Sequence, residues 1–259
     1  MINYMGYITG YVGNMFSGKS EDFIRHLVRL KIAGLEVLVF KPVIDDRYSG
    51  FAKNDNGFVE STIDTHSGSK LECFAVDTGM KGIDEIKKIV DFEERQKGKK
   101  IDAIGIDEAN FFVPDIRQLI ERLAYSENRE VVWAGLDTDF RGEPFGVVPE
   151  LLAISNEHHK LYAVCMKCGN RHATRSQRLD LIEIKDNKPV YKPSLPDAKQ
   201  ILVGTDLARS KGFPQSIYES RCVRCHEVTG KNKATLLRNS SKSCDGNNNM
   251  SYTFHYKNI

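Results

Sequence analysis

Three groups of residues in this 259-residue sequence have the types and spacing to do chemistry. The run Gly13-Asn14-Met15-Phe16-Ser17-Gly18-Lys19-Ser20 fits the pattern GxxxxGK[ST]. Glycines there let backbone N–H groups converge on phosphate oxygens, and Lys19 supplies a mobile cation. The Ser20 hydroxyl can join the shell of Mg2+, and a helix opening at this point turns its positive end toward the anion. Asp107-Glu108 is the second group. In a nucleotide site the first acid acts on Mg2+, directly or through water, and the second deprotonates a nucleophile. If that nucleophile is water the protein is an ATPase; if it is a substrate hydroxyl, a kinase. The residues alone leave both open. The third group is Cys165-Met166-Lys167-Cys168 with Cys222-Val223-Arg224-Cys225, four thiolates in two knuckles, the donor set tetrahedral Zn2+ favours. With all four positions filled by protein, the expected zinc is structural. His226 is expected to stay off the metal, and His158-His159 lacks metal-ligand spacing and is expected at the surface.

These groups need elements to hold them. Tyr7 to Val12 is a short β-prone stretch running into Gly13, and after Ser20 the residues Phe23, Ile24, Leu27 and Val28 recur at helical spacing until Gly34. Val37 to Phe40 suits a strand buried on both faces, and Leu71 to Val76 suits another. Ile83, Ile86 and Val90 mark a helix that the polar 96–100 stretch closes. Ile101 to Ile106 is a strand delivering the paired acids. Pro114 opens a helix with Ile116, Leu119, Ile120 and Leu123 on one face, and Val131 to Leu136 is the next strand. Such alternation predicts an α/β fold with a parallel sheet flanked by helices on both sides. The pattern stops near residue 160, giving expected units at 1–160, for nucleotide binding, and 161–230, small, loop-rich and zinc-binding. Residues 231–259, rich in Asn, Ser and Lys, are too polar to bury a core and predict a disordered tail.

Lys and Arg number 37 against 35 Asp and Glu. The 231–259 tail carries five basic residues and one acid, so the tail is +4 and the remaining chain −2. That balance gives no general attraction to nucleic acid or an anionic membrane, and no apolar run approaches the ~18 residues a spanning helix needs. No Lys or Arg precedes Lys19, which argues against a signal or transit peptide. Paired CxxC motifs without an export signal point to a reducing, cytoplasmic compartment.

The ordered stretches Met15 to Ser20, Phe40-Lys41-Pro42 leading to Asp45-Asp46-Arg47-Tyr48-Ser49, Gly105 to Ala109, and Ala134 to Asp137 resemble the cytosolic-type (type II) thymidine kinase family. So do Asp139-Phe140-Arg141, Glu143-Pro144-Phe145, Leu161 to Cys168 and Gln177-Arg178-Leu179. The likeness runs from about residue 6 to 226. It implies a P-loop sheet with a small zinc-binding lasso-loop domain, and ATP-dependent phosphorylation of the 5′-hydroxyl of thymidine, with deoxyuridine also accepted. Glu108 lies where this family has its general base. Gly13 to Ser20 would hold the ATP phosphates, with Ser20 and Asp107 around Mg2+; Arg47 could stabilise developing charge beside Asp45. Met15, Phe111, Leu136, Phe140 and Phe145 match the apolar lining of the base pocket. Leu202-Val203-Gly204 matches the loop whose main chain meets the pyrimidine edge, and Tyr218 the residue covering the sugar. A homotetramer and feedback inhibition by thymidine triphosphate are implied by the family alone.

The sequence departs from the family pattern in several places. Asn110 stands for the usual Gln, Asn14 for the usual Pro and Ser176 for the usual Thr facing the thymine methyl. Residues 186–200 and 205–217 lengthen the base-closing loop. The competing readings are a P-loop ATPase with a structural zinc ribbon that does not act on nucleosides, and a zinc-ribbon binding module using ATP only as a ligand.

Overall fold

The structure, a computed structural model, describes residues 6–43, 54, 56–64, 68, 70–202, 209–210 and 212–230. Asp45, Arg47, Val203, Gly204 and the 231–259 tail lie outside the described residues. Strand β1 (Tyr7–Gly13) feeds helix α1 (Lys19–Ile32), and β2 (Val37–Pro42), β3 (Val59–Asp64) and β4 (Lys70–Val76) follow. Helix α2 (Met80–Lys97), β5 (Ala103–Ile106), α3 (Ile116–Glu121), β6 (Glu130–Gly135), α4 (Val148–Ile154) and β7 (Glu157–Leu161) complete the larger unit. The sheet order is β3-β4-β2-β5-β6-β1-β7. All neighbours run parallel except β3, which is antiparallel to β4. The sheet is therefore mixed rather than wholly parallel, because an edge strand was added. Among the β3 residues only Ile63 is buried, so β3 carries too little apolar periodicity to announce itself.

Side chains of the central strands alternate between two cores. Tyr11 of β1 and Val132 and Ala134 of β6 pack with Phe23, Ile24 and Leu27 of α1 on one face. Ile8 and Val12 of β1 and Val131 and Trp133 of β6 pack with Ile86, Ile116, Leu119, Val148 and Leu151 from α2, α3 and α4 on the other. Each such fully buried side chain contributes about 1.5–3 kcal/mol. Trp133, 0% exposed, also satisfies its ring N–H by donating to the Ser155 hydroxyl at 2.9 Å. Helix α1 ends as its sequence predicts, the Leu35 amide donating to the Leu30 carbonyl and the Gly34 amide to Lys31. The helix after Pro114 turns π-helical at Arg122–Ser126, yet Ile116, Leu119, Ile120 and Leu123 are all buried.

The smaller unit is a three-stranded antiparallel sheet of β8 (Arg175–Lys185), β9 (Lys188–Pro193) and a later strand, with β8 central. The short pair β10 (Arg209–Ser210) and β11 (Phe213–Pro214) precedes that strand, β12 (Ser216–Arg221). Asp186 and Asn187 join β8 to β9 with φ of 48° and 56°, the left-handed pair a two-residue hairpin turn requires. The lengthened stretch after residue 185 thus begins as a hairpin. No helix among the described residues is long and apolar enough to cross a membrane.

Candidate active site

The loop between β1 and α1 is built to meet an anion. Gly18 adopts φ 83°, a left-handed conformation that glycine adopts without a steric penalty, and it stands at the N-cap of α1 with no side-chain cap. The first-turn N–H groups of α1 are therefore left to an external acceptor. Phe16 also has positive φ, at 65°. Gly13 is demanded by space rather than by torsion: a Cβ there would lie 2.6 Å from the Ser17 hydroxyl and 2.7 Å from the Leu161 carbonyl oxygen. Lys19 is buried, as is Asn14.

Strand β5 brings Asp107 and Glu108 to the same end of the sheet. The Asp107 amide donates to the Phe40 carbonyl at 2.9 Å, and its carboxylate accepts the Glu108 amide at 2.9 Å. Burial, aggravated by the neighbouring Glu108 charge, pushes the Asp107 carboxyl up to about 7, against the opposing pull of Lys19 and Lys41. Glu108 is held at φ 47°, a strained conformation for a residue with a side chain. Its Oε2 is buried without a hydrogen-bond partner among the described residues, as are Asn14 Oδ1, Ser17 Oγ, Asn110 Nδ2, Asp137 Oδ1 and Thr138 Oγ1. Native proteins rarely bury so many orphaned polar atoms without a purpose. They fall in the phosphate loop and in the segments following β5 and β6; Ser17, Thr138 and Asn110 Nδ2 can donate to a phosphate, the acceptor oxygens of Asn14, Glu108 and Asp137 suit a cation or a hydroxyl, and Ser20 and Asp107 are the residues that would hold Mg2+.

Asn110 joins the ends of β5 and β6, accepting the Leu136 amide at 2.9 Å. The Phe111 and Phe145 rings meet edge to face at 5.5 Å. Met15, Leu136 and Phe111 are half-buried, and Phe140 and Phe145 are buried. Ser176 is 2% exposed and its hydroxyl accepts the Met15 amide at 3.0 Å, so the fold brings together two residues that the sequence placed at the base. Tyr218 lies opposite Arg178 in the β12–β8 register; burial raises its phenol, with the Arg178 charge opposing. Leu202 is half-buried.

The four knuckle cysteines converge, every Sγ lying within 4.8 Å of the others. A tetrahedral zinc with Zn–S of about 2.3 Å sets sulfur–sulfur edges of about 3.8 Å, and the Cys168 and Cys222 sulfurs are 3.7 Å apart. Amides fold round each knuckle: Gly169 donates to the Cys165 carbonyl and Cys225 to that of Cys222. Burial pushes the Cys165 thiol up, but backbone hydrogen bonds from Cys222, Cys168 and Lys167 outweigh it and bring it down to about 7. Burial and the other sulfurs push Cys225 up instead. Such a set is stable as thiolates only around a cation. The local core beside it is no more than Ala163, Ala173 and three of the cysteines, too little apolar surface to hold a unit together unaided. His226 is not in the cluster; its Nε2 contacts the Phe140 carbonyl at 2.8 Å, tying the knuckle to the loop after β6. His158 is exposed, while His159 is half-buried and stacks on Tyr11 at 4.9 Å.

Three residues that the motif analysis left without a role, Asp139, Arg141 and Arg178, turn out to be central to the hydrogen bonding beside Phe140. Their signals in the sequence were the stretches Asp139-Phe140-Arg141 and Gln177-Arg178-Leu179, which resemble the family but name no role for the three charges.

A family model described as thymidine kinase matches residues 6–226, a span that takes in the phosphate loop, the paired acids and both cysteine knuckles.

Proposed function

Since this chain belongs to the thymidine kinase family, we propose that it transfers the γ-phosphoryl group of ATP to the 5′-hydroxyl of thymidine, and of deoxyuridine, giving the nucleoside monophosphate and ADP. The observation that carries this reading is Glu108, whose strained backbone at the end of β5 holds a carboxylate oxygen that is buried and has no hydrogen-bond partner among the described residues. A carboxylate so placed is suited to take a proton from a bound hydroxyl, a role worth about 10²–10⁴ in rate.

In this reading Lys19 and the amides of residues 13–20 hold the β- and γ-phosphates. Glu108 accepts the 5′-hydroxyl proton as that oxygen attacks the γ-phosphorus, and the bond from phosphorus to the bridging oxygen breaks to release ADP. Mg2+, when bound, neutralises charge on the transferring phosphates. Arg47, with Asp45 near it in sequence, would stabilise charge on the same group. Met15, Phe111, Leu136, Phe140 and Phe145 form the apolar side of the base site, Tyr218 covers the sugar, and the main chain of 202–204 meets the pyrimidine edge. Residues 1–160 act as the nucleotide-binding unit and 161–230 as the zinc-held unit that encloses the nucleoside, with the 231–259 tail dispensable. We extend the proposal to a homotetramer in the cytoplasm that thymidine triphosphate inhibits.

A nucleoside panel scored by ADP formation and product mass tests it. The expected result is ADP release that depends on thymidine or deoxyuridine. Equal ADP release with no nucleoside would return the ATPase reading.

A further inference from the structure

Residues 194–200 take no part in the phosphate chemistry, yet two guanidinium groups are committed to them. Arg141 donates from Nε to the Pro196 carbonyl at 2.6 Å and from Nη2 to the Ala198 carbonyl at 2.5 Å, while Nη1 meets Asp139 at 2.7 Å. Arg178, 1% exposed, donates from Nε to the Ser194 hydroxyl at 2.8 Å and from Nη1 to the Lys199 carbonyl at 2.5 Å. Both groups lie over one ring: the Arg141 and Arg178 Cζ atoms are 4.4 and 3.8 Å from the Phe140 centroid. Two cations on one aromatic face each other at a cost. The three carbonyls, Asp139, and Asp180 at 3.5 Å from Arg178 Nε, offset it. The Asp139 side chain, 1% exposed, also accepts the amides of Arg141 and Glu143 and the Gln200 side chain at 3.0 Å.

The assembly reaches the residues assigned to the nucleoside. Phe140 is its centre, Tyr218 pairs with Arg178 across the β12–β8 register, and Ser176, two residues earlier on the same face of β8, holds the Met15 amide. We infer that Arg141 and Arg178 are positioning residues for nucleoside recognition, coupling the added 194–200 segment to Phe140 and Tyr218. The segment thereby sets the walls of the site before the nucleoside arrives, which removes part of the ordering cost of binding. This inference rests on the proposed kinase reaction. A planar fork that stacks and hydrogen-bonds at once is specific to arginine; lysine keeps the charge and loses the fork.

The test uses the full chain with zinc bound, comparing wild type, Arg141→Lys and Gln200→Ala. Gln200 is exposed, so its replacement leaves the fold intact should the arginine variant misfold. Steady-state kinetics with thymidine and ATP are read alongside hydrogen exchange of the 194–200 peptide. We expect thymidine KM to rise about tenfold in Arg141→Lys and about two- to threefold in Gln200→Ala, matching the loss of charge-assisted and single hydrogen bonds. ATP KM should stay within about twofold, and exchange at 194–200 should accelerate in both. Faster exchange with unchanged thymidine KM would overturn the inference, as would an equal rise in both KM values. A wild-type protein that turns over no nucleoside would instead sink the kinase reading itself, and the inference with it.

Discussion

The Met15 amide donates to the Ser176 hydroxyl at 3.0 Å across 161 residues of sequence, and the preceding residue, Asn14, donates from its side chain to the Arg175 carbonyl at 3.2 Å. The phosphate loop is thus fastened to β8, the strand that follows the first cysteine knuckle. The GxxxxGK[ST] loop and the unit that carries the cysteine cluster share a border, and a change on one side should be felt on the other.

Ser176→Ala leaves the Met15 N–H without its acceptor in a buried setting, a loss of about 1–3 kcal/mol. We expect a lower thermal midpoint, by roughly 2–4 °C per kcal/mol for a chain of this size, and a raised thymidine KM. Ser176→Thr keeps the hydroxyl and adds a methyl group. If that group faces the base, the ratio of kcat/KM for thymidine over deoxyuridine should change, bounded by the ~1–3 kcal/mol one methyl contributes. Thermal melts and paired kinetics separate the two effects.

Removing zinc should cost binding before it costs chemistry. The cysteine cluster has little apolar surface beside it, so a metal held there would supply much of its free energy of folding. Elemental analysis is expected to give one zinc per chain, and Cys222→Ser or strong chelation should release it. Nucleoside affinity should then fall more than ATP affinity, because β8 and β12 carry Ser176 and Tyr218. Calorimetric titration of each ligand into the zinc-depleted protein reads the difference.

Asp107 should trade stability for function. Its folded-state carboxyl is raised to about 7 by burial and by Glu108, above the ~3.9 of an unfolded aspartate. The folded chain therefore binds a proton that the unfolded chain has released, and this contribution is present at low pH and lost as pH rises through 7. In the absence of nucleotide and Mg2+, Asp107→Asn should remove that loss, so its thermal midpoint should exceed wild type at pH 8 and the gap should close toward pH 5. The same variant should lose Mg2+-dependent turnover. Thermal melts across that pH range provide the check.

Much of this site was legible in the sequence because its residues are neighbours. The eight residues from Gly13 to Ser20 and the pair Asp107-Glu108 need only a strand before them, and each had a strong apolar run to supply it. The cysteines declared themselves by spacing, and the cluster at 4.8 Å followed. Strands β3 and β7 were not read, since Val59–Asp64 and Glu157–Leu161 are edge strands with little apolar alternation. The hairpin turn at Asp186-Asn187 was visible only as polar chain. The Arg141–Phe140–Arg178 stack could not be read at all: its partners come from the loop after β6, from β8 and from residues 194–200, and only the folded chain brings those together.

The most direct test of the account is single-turnover phosphoryl transfer from ATP to thymidine by Glu108→Gln beside wild type. Gln preserves the shape of the side chain and cannot accept the proton, so the transfer rate should fall by about 10²–10⁴ while ATP affinity stays within about twofold. Transfer at the wild-type rate in Glu108→Gln would contradict the assignment of this carboxylate as the base.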